Sequence, residues 1–342
     1  MYEFLKPLLF QFDPEQVHDF AMKTLRFSSQ QKVLLDLIAK FCQPQDERLK
    51  VKLWDLEFPN AVGLAAGFDK NALALPAWSA LGFGFVEIGS VTALGQSGNP
   101  KPRLFRLPED NAIINRMGFN NDGASVIAAR LELWRHSHGK LKVPLGINLG
   151  KSKITPLEDA PNDYLTSLKK LWEYGDYFVL NVSSPNTPNL RELQDKDKLE
   201  LLLSSVMEFA NAQETKKPVL LKIAPDLSFE QLDEILLLLE KHKLSGIIAT
   251  NTTLARDGLK SQIEEAGGLS GAPLNLKSLE ILKHLQTQLN GKLPIISVGG
   301  ISSGDQVQQR LDAGASLVQV YSGWIFEGPL MLQNIARDLL KK

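Results

Sequence analysis

From residue 61 onward the chain alternates short apolar runs with longer amphipathic stretches, and this alternation constrains the fold more than any other feature. The runs are 61–66, 85–89, 145–149, 177–182, 219–223, 246–250, 295–298 and 317–320. Most are continuously apolar rather than alternating, the pattern of strands buried on both faces of a parallel sheet. Helical periodicity fills the gaps, as in 229–241, with Leu232, Ile235, Leu236 and Leu239 on one side, and in 276–289. Eight strand–helix units over about 280 residues predict an α/β fold, a (β/α)8 TIM barrel. An open doubly wound sheet is the main competitor, but its early G-x-G-x-x-G is absent.

In a barrel the strand ends converge on the C-terminal mouth, where this fold keeps its chemistry. At or just beyond those ends stand Gly67, Ser90, Asn148 with Gly150, Asn181, Lys222, Asn251 with Thr252, Gly299-Gly300 and Tyr321-Ser322-Gly323. Two amide-rich clusters stand out, Asn181-Val-Ser-Ser-Pro-Asn-Thr187 and Asn115-Arg-Met-Gly-Phe-Asn-Asn121. Together they suit a small planar ligand dense in carbonyl, N–H and carboxylate groups. Gly299-Gly300 and Ser322-Gly323 follow the seventh and eighth strands, where barrels bind phosphate through backbone N–H groups. Two ordinary turns would look the same.

Lys222 interrupts an apolar strand and needs an anionic partner, either a core carboxylate or a bound anion. Lys70 is a loop lysine whose interest lies in its place after the first strand. Ser184 lacks a G-x-S-x-G setting and a visible His–Asp pair, so acyl transfer is poorly supported. By its residues alone it reads as a hydrogen-bonding serine. The segment of about 55 residues between the second and third strands holds a helix over 125–134 and is otherwise expected to be loop.

Residues 1–45 contain no strand pattern. Asp13-Pro14-Glu15 reads as an N-cap, a first-turn proline and an acidic first turn. The helix that follows carries Val17, Phe20, Ala21 and Leu25, and the segment before it is densely apolar. Packing on the barrel bottom, a dimer contact and an interfacial hairpin at a membrane surface all fit this pattern. A net charge of −1 and no basic stripe give no pull toward nucleic acid. The single cysteine, Cys42, excludes an intrachain disulfide framework. The five histidines lack metal-ligand spacing, and His136 and His138 read as a solvated turn; no metal is expected. No run reaches the roughly 18–20 apolar residues of a membrane span, and the N-terminus lacks a secretory cleavage site.

These motifs, with Gly63-Leu-Ala-Ala-Gly-Phe-Asp-Lys70, Gly98-Asn-Pro-Lys-Pro-Arg-Leu-Phe-Arg106, Ala249-Thr-Asn-Thr252, Gly267-Gly-Leu-Ser-Gly271 and Ser297-Val-Gly-Gly300, give the chain an end-to-end likeness. It resembles dihydroorotate dehydrogenase, in the membrane-associated, quinone-reducing class 2 form of bacteria. The resemblance implies a TIM barrel over 46–342 with an N-terminal helical extension over 1–45 that forms a quinone tunnel. It implies FMN as hydride acceptor, (S)-dihydroorotate as substrate, orotate as product in pyrimidine synthesis, and ubiquinone or menaquinone as final acceptor. Ser184 is then the base; class 1 relatives use a cysteine there.

Lys70, Asn115, Arg116, Met117, Gly118, Phe119, Asn120, Asn186, Asn251 and Thr252 correspond to the substrate site. Ala66, Gly67, Ser90, Asn148, Asn181, Lys222, Thr250, Gly271, Gly300, Tyr321 and Ser322 correspond to the FMN site, with Ser90 where threonine is expected. His18, Arg106 and Tyr321 fall near the quinone head. The same resemblance implies a peripheral monomer on the cytoplasmic face of the cell membrane, touching it through the N-terminal helices. Deleting residues 1–45 is expected to spare flavin reduction by substrate and impair quinone reduction. The alternatives are a flavin barrel with a soluble electron partner and a flavin-binding assembly subunit without catalysis.

Overall fold

The structure is a computed structural model that describes residues 2–341. Eight parallel strands close into a barrel: β1 (Val62–Leu64), β2 (Phe85–Val91), β3 (Leu145–Leu149), β4 (Tyr177–Asn181), β5 (Val219–Ile223), β6 (Gly246–Ala249), β7 (Ile295–Val298) and β8 (Leu317–Val320). Each pairs with the next in sequence, and β8 closes onto β1. The expected strands are all present. The first is three residues shorter than expected, the fourth and sixth one shorter, and the second runs two residues further, to Val91.

Side chains alternate in and out along each strand. The outward set, including Leu64, Ile88, Ile147 and Leu221, joins the surrounding helices in the main core. The inward set begins with an apolar floor of Phe85, Tyr177, Leu220, Ile248, Ile296 and Leu317. Two aromatic rings fit there because their neighbours across the ladder are glycines. Gly63 pairs with Phe85, and Gly146 with Tyr177. A Cβ on Gly63 would lie 2.4 Å from the Phe85 ring, and one on Gly146 would lie 2.1 Å from Tyr177.

A hairpin of Val51–Leu53 and Leu56–Phe58 stoppers the N-terminal end. Phe58 is fully buried and meets the Phe85 ring edge-on at 5.4 Å, and the Trp54 indole donates to the Ser245 carbonyl at 2.8 Å.

Outside its helix, the excursion between β2 and β3 is not all loop. Leu104–Leu107 and Ala112–Asn115 pair antiparallel, and Gly268–Gly271, from the β6–β7 connection, adds a third strand. This small sheet lies over the mouth. His136 and His138 are also not in a turn: they end the helix Ala124–His138, where the His138 ring stacks on Trp134 at 5.7 Å.

Three helices, α1 (Tyr2–Leu9), α2 (Pro14–Ser29) and α3 (Lys32–Cys42), precede the barrel. Asp13 caps α2 through Gln16 N at 2.9 Å, and Pro14 takes the first helical position. Packing places α2 beside the mouth rather than the bottom: it contacts Leu104–Leu107 and the helix Leu75–Ala80, and His18 Nε2 meets the Phe68 carbonyl at 3.0 Å. Phe4, Leu5, Leu8, Phe12, Phe20, Phe27, Val33, Leu37 and Phe41 remain exposed on these helices and their turns. No helix among the described residues is long and apolar enough to cross a membrane.

Gly146→Ala is expected to destabilise the barrel by about 1–3 kcal/mol, because its methyl group meets a ring that has nowhere to move. A thermal unfolding midpoint equal to that of the parent chain would contradict this packing.

Candidate active site

Above the apolar floor lies a polar layer built on a carboxylate. Glu87 of β2 is fully buried inside the barrel. Its Oε1 accepts from Asn148 Nδ2 at 2.8 Å; its Oε2 accepts from Gln319 Nε2 at 2.6 Å and from the Tyr177 hydroxyl at 3.3 Å. Lys222 Nζ stands 3.9 Å from Oε1. Burial lowers the Lys222 pKa and the Glu87 charge opposes that shift. Lys222 therefore has a core carboxylate partner, yet it also lines the cavity above.

The next layer is amide and hydroxyl. Ser90 Oγ donates to Asn148 Oδ1, and Asn181 Nδ2 donates to Ser90 Oγ at 2.9 Å and to Asn148 Oδ1 at 3.1 Å. Asn251 Nδ2 reaches Ser183 Oγ at 3.0 Å and Asn181 Oδ1 at 3.2 Å. Asn148 thus sits beneath the cavity and holds Ser90 and Asn181, rather than lining it.

On one side the cavity is walled by backbone. The Gly299 carbonyl accepts from Ser278 Oγ at 3.0 Å and Arg310 Nη2 at 3.2 Å, and the Gly300 carbonyl accepts from Asn275 Nδ2 at 2.7 Å. In a trans peptide the N–H points away from the C=O, so the N–H groups of Gly300 and Ile301 face the cavity they line. Gly300 has φ +64°, and a Cβ there would lie 2.6 Å from the Gly271 carbonyl. Arg310 is fully buried behind this wall, and burial brings its pKa to about 10. Its other acceptors, the Asn275 carbonyl and the Ser278 and Ser297 hydroxyls, are neutral. A buried cation behind inward-facing N–H groups makes this side a cradle for an anion.

Opposite stand the residues of the two amide clusters. Asn115, Met117, Gly118, Phe119, Ser184, Asn186, Asn251 and Thr252 line the cavity with Lys70, Ala66, Gly67, Ser90, Asn181, Thr250, Gly271, Tyr321 and Ser322. Asn186 Nδ2 donates to the Asn115 carbonyl at 3.0 Å, which brings the clusters together. Thr252 Oγ1 is buried with no hydrogen-bond partner among the described residues. Ser184 is 6% exposed, and its Oγ accepts from Asn186 N at 3.3 Å.

Lys70 is not the solvated lysine of an ordinary loop. The fully buried Asp69 accepts from Leu73 N, Ala74 N and the Trp78 indole at 2.8, 2.9 and 3.1 Å, fixing the turn. Burial lowers the Lys70 ammonium to about 8, against Glu15, Asp19 and Asp69, which favour its charge.

Two expected members stand apart. Arg116 points away, toward Glu265, the Ala266 carbonyl and the Pro102 carbonyl. Asn120 does not line the cavity, although its Oδ1 is buried without a partner. His18 and Tyr321 flank the Phe68 ring, at 5.1 and 5.3 Å. Arg106 lies over the Phe10 ring at 4.5 Å and donates to the Leu9 and Phe12 carbonyls. Among the described residues no group of three His, Cys, Asp or Glu side chains could hold a metal ion.

A family model described as "Dihydroorotate dehydrogenase" matches residues 48–342. The chain belongs to the dihydroorotate dehydrogenase family. It is an oxidoreductase. A curated relative from Gloeobacter violaceus, named dihydroorotate dehydrogenase (quinone), is 53% identical over 339 residues, covering 99% of this chain and 94% of the relative. One of the same name from Thermus thermophilus is 52% identical over 334 residues, covering 97% and 94%. A crystal structure of DHODH from Eimeria tenella in complex with ferulenol superposes with a TM-score of 0.85 at 38% identity, covering 96% of this chain and 91% of that one.

For a member of the dihydroorotate dehydrogenase family, sequence reasoning missed several supporting residues: Glu87, Gln319, Asp69, Arg310 and Arg191. Arg191 binds the Ser183 and Thr252 carbonyls at 3.0 and 2.9 Å and Asp226 at 2.8 Å, bracing the Ser184 loop against the Thr252 loop. A glutamate inside the apolar run 85–89 was the one visible signal. Glu87→Ala is expected to cost about 3–5 kcal/mol in urea denaturation, since it strands Lys222. Glu87→Leu combined with Lys222→Met is expected to recover part of that loss, and a double variant worse than the sum of both singles would contradict the pairing.

Proposed function

We propose that this cavity binds FMN and (S)-dihydroorotate together, and that the chain oxidises dihydroorotate to orotate in pyrimidine synthesis, with a membrane quinone as final acceptor. What supports this most is the convergence in one cavity of an anion cradle, a buried lysine, and both amide clusters around Ser184. The residues fit a flavin phosphate: Gly271, Gly300 and Ser322 ring the cradle, and a Cβ at Gly300 would collide with the Gly271 carbonyl that frames it. Lys222, Ser90, Asn181, Thr250, Ala66 and Gly67 would hold the ring system, with Asn148 behind them. FMN, when bound, supplies the hydride acceptor and returns two electrons to quinone.

Every other part of the chemistry falls to the chain. Lys70 would bind the substrate carboxylate as a charged ammonium. Asn115, Asn186, Asn251 and the unpartnered Thr252 hydroxyl would bind its amide-like edges. Ser184 Oγ would take the proton from the carbon beside the one that loses hydride while passing its own hydroxyl proton to solvent water. Its backbone donor, Asn186 N, favours the alkoxide character that the oxygen needs to act as base.

Residues 1–45 would form the quinone approach and 46–342 the catalytic barrel. The exposed apolar side chains of α1–α3 suit a membrane surface that the chain touches without crossing. His18, Phe68 and Tyr321 would separate that approach from the flavin site, with Arg106 beside it. The chain would act as a monomer on the cytoplasmic face, since it supplies every group named here.

The test is an anaerobic absorbance titration of the purified chain. Dihydroorotate should bleach the flavin band, and a ubiquinone or menaquinone analogue should restore it; a band that dihydroorotate leaves unchanged refutes the assignment. Ser184→Ala is expected to keep the flavin and bind orotate while reducing the flavin roughly 10²–10⁴-fold more slowly. Normal reduction in that variant would remove Ser184 as base. Orotate affinity is expected to hold below and fall as pH rises through about 8, where Lys70 loses its proton. The same fall in Lys70→Met would assign the titration to another group.

A further inference from the structure

Helix α2 reaches the amide-lined side of the mouth through one buried ion pair. Glu15, in its first turn, is 5% exposed, and Arg103, just before the strand Leu104–Leu107, is 7% exposed. Arg103 Nε donates to both Glu15 oxygens at 3.2 Å, and Nη2 donates to Oε1 at 2.8 Å. The remaining nitrogen, Nη1, donates to the carbonyls of Ser97 and Asn99 at 2.6 and 2.8 Å. One guanidinium therefore ties the N-terminal helix to the loop 97–103. Lys101 also meets Glu15, at 3.2 Å, but is 59% exposed and contributes little.

That loop backs the amide clusters. Asn99 N donates to the Met117 carbonyl at 3.0 Å, and Asn99 Nδ2 donates to the carbonyls of Arg116 and Asn186 at 3.0 and 3.1 Å. Arg116 N returns a bond to the Arg103 carbonyl at 2.9 Å. Asn186 in turn holds Asn115. The same helix meets the Lys70 loop through His18 and the Phe68 carbonyl. The Lys70 loop and the two amide clusters therefore lean on α2.

We propose that the Glu15–Arg103 pair is a positioning device through which seating of α2 orders the substrate clamp, so that the electron-acceptor end and the substrate end of the molecule are energetically coupled. This rests on the dihydroorotate assignment above. It departs from the expectation that removing residues 1–45 spares the substrate half-reaction. Removing one partner of a buried, hydrogen-bonded pair leaves the other charge stranded. Arg103 would then turn from Ser97 and Asn99 toward water, and the Asn99 contacts would loosen with it. Coupling of this kind is reciprocal: whatever tightens the clamp must also seat the helix.

The experiment uses the full-length flavin-loaded chain and orotate as the probe. Glu15→Gln is expected to raise the orotate dissociation constant roughly fivefold or more, with the limiting rate of flavin reduction at saturating dihydroorotate held within about twofold. Lys101→Ala is expected to leave both within about twofold, as an exposed pair should. Reciprocity is checked on the unaltered chain, where orotate should slow amide hydrogen exchange in residues 14–22. That measurement stands even where Glu15→Gln fails to fold. Unchanged orotate affinity in Glu15→Gln, or unchanged exchange in 14–22, overturns the coupling alone. Failure of the unaltered chain to bind orotate overturns the dihydroorotate assignment and this inference with it.

Discussion

A buried carboxylate organises the inside of this barrel. Glu87 sits where a lone charge would be prohibitively unstable, and its position is tolerable only because Asn148, Tyr177, Gln319 and Lys222 converge on it from four other strands. Asn148 then orients Ser90 and Asn181, and Asn181 orients Ser183 and Asn251. The site above inherits its geometry from that layer, in which most lone pairs and protons are committed before any ligand arrives.

The mouth is assembled from pieces far apart in sequence. The three-stranded sheet joins residues 104–115 to 268–271, and the hydrogen bonds of Asn99 and Asn186 join the second barrel connection to the fourth. Rigid strands carry the deep groups, and braced loops carry the ones that face a substrate. Asp69 does for the Lys70 turn what Arg191 does for the Ser184 loop: one buried or half-buried charge spends its hydrogen bonds on backbone, so that the neighbouring side chain can face the cavity.

The barrel was legible because continuous apolar runs of the right length alternate with helical periodicity, a pattern few architectures share. Lys222 was legible as a charge in an apolar strand. Glu87 offered the same signal in the run 85–89, but one residue cannot say which strand its partner occupies. The sheet over the mouth was not legible. Gly268–Gly271 has two glycines in four residues, and its partner lies some 150 positions earlier, so neither propensity nor spacing marks it. Arg310 looks like any helix-surface arginine; only the tertiary fold turns it inward. Arg116 misled for the opposite reason, since it sits inside an amide cluster, just past the end of its strand, and its side chain is drawn away from the cavity by Glu265 and the Pro102 carbonyl.

The stopper formed by Phe58 and Trp54 has a consequence for traffic. A barrel sealed at one end is a flask rather than a pipe, with a single neck. On the function proposed above, reactant, product and electron acceptor would all come and go on the same side of the molecule. The helices flanking that neck would then divide the arrivals, sending water-borne molecules one way and oily ones another.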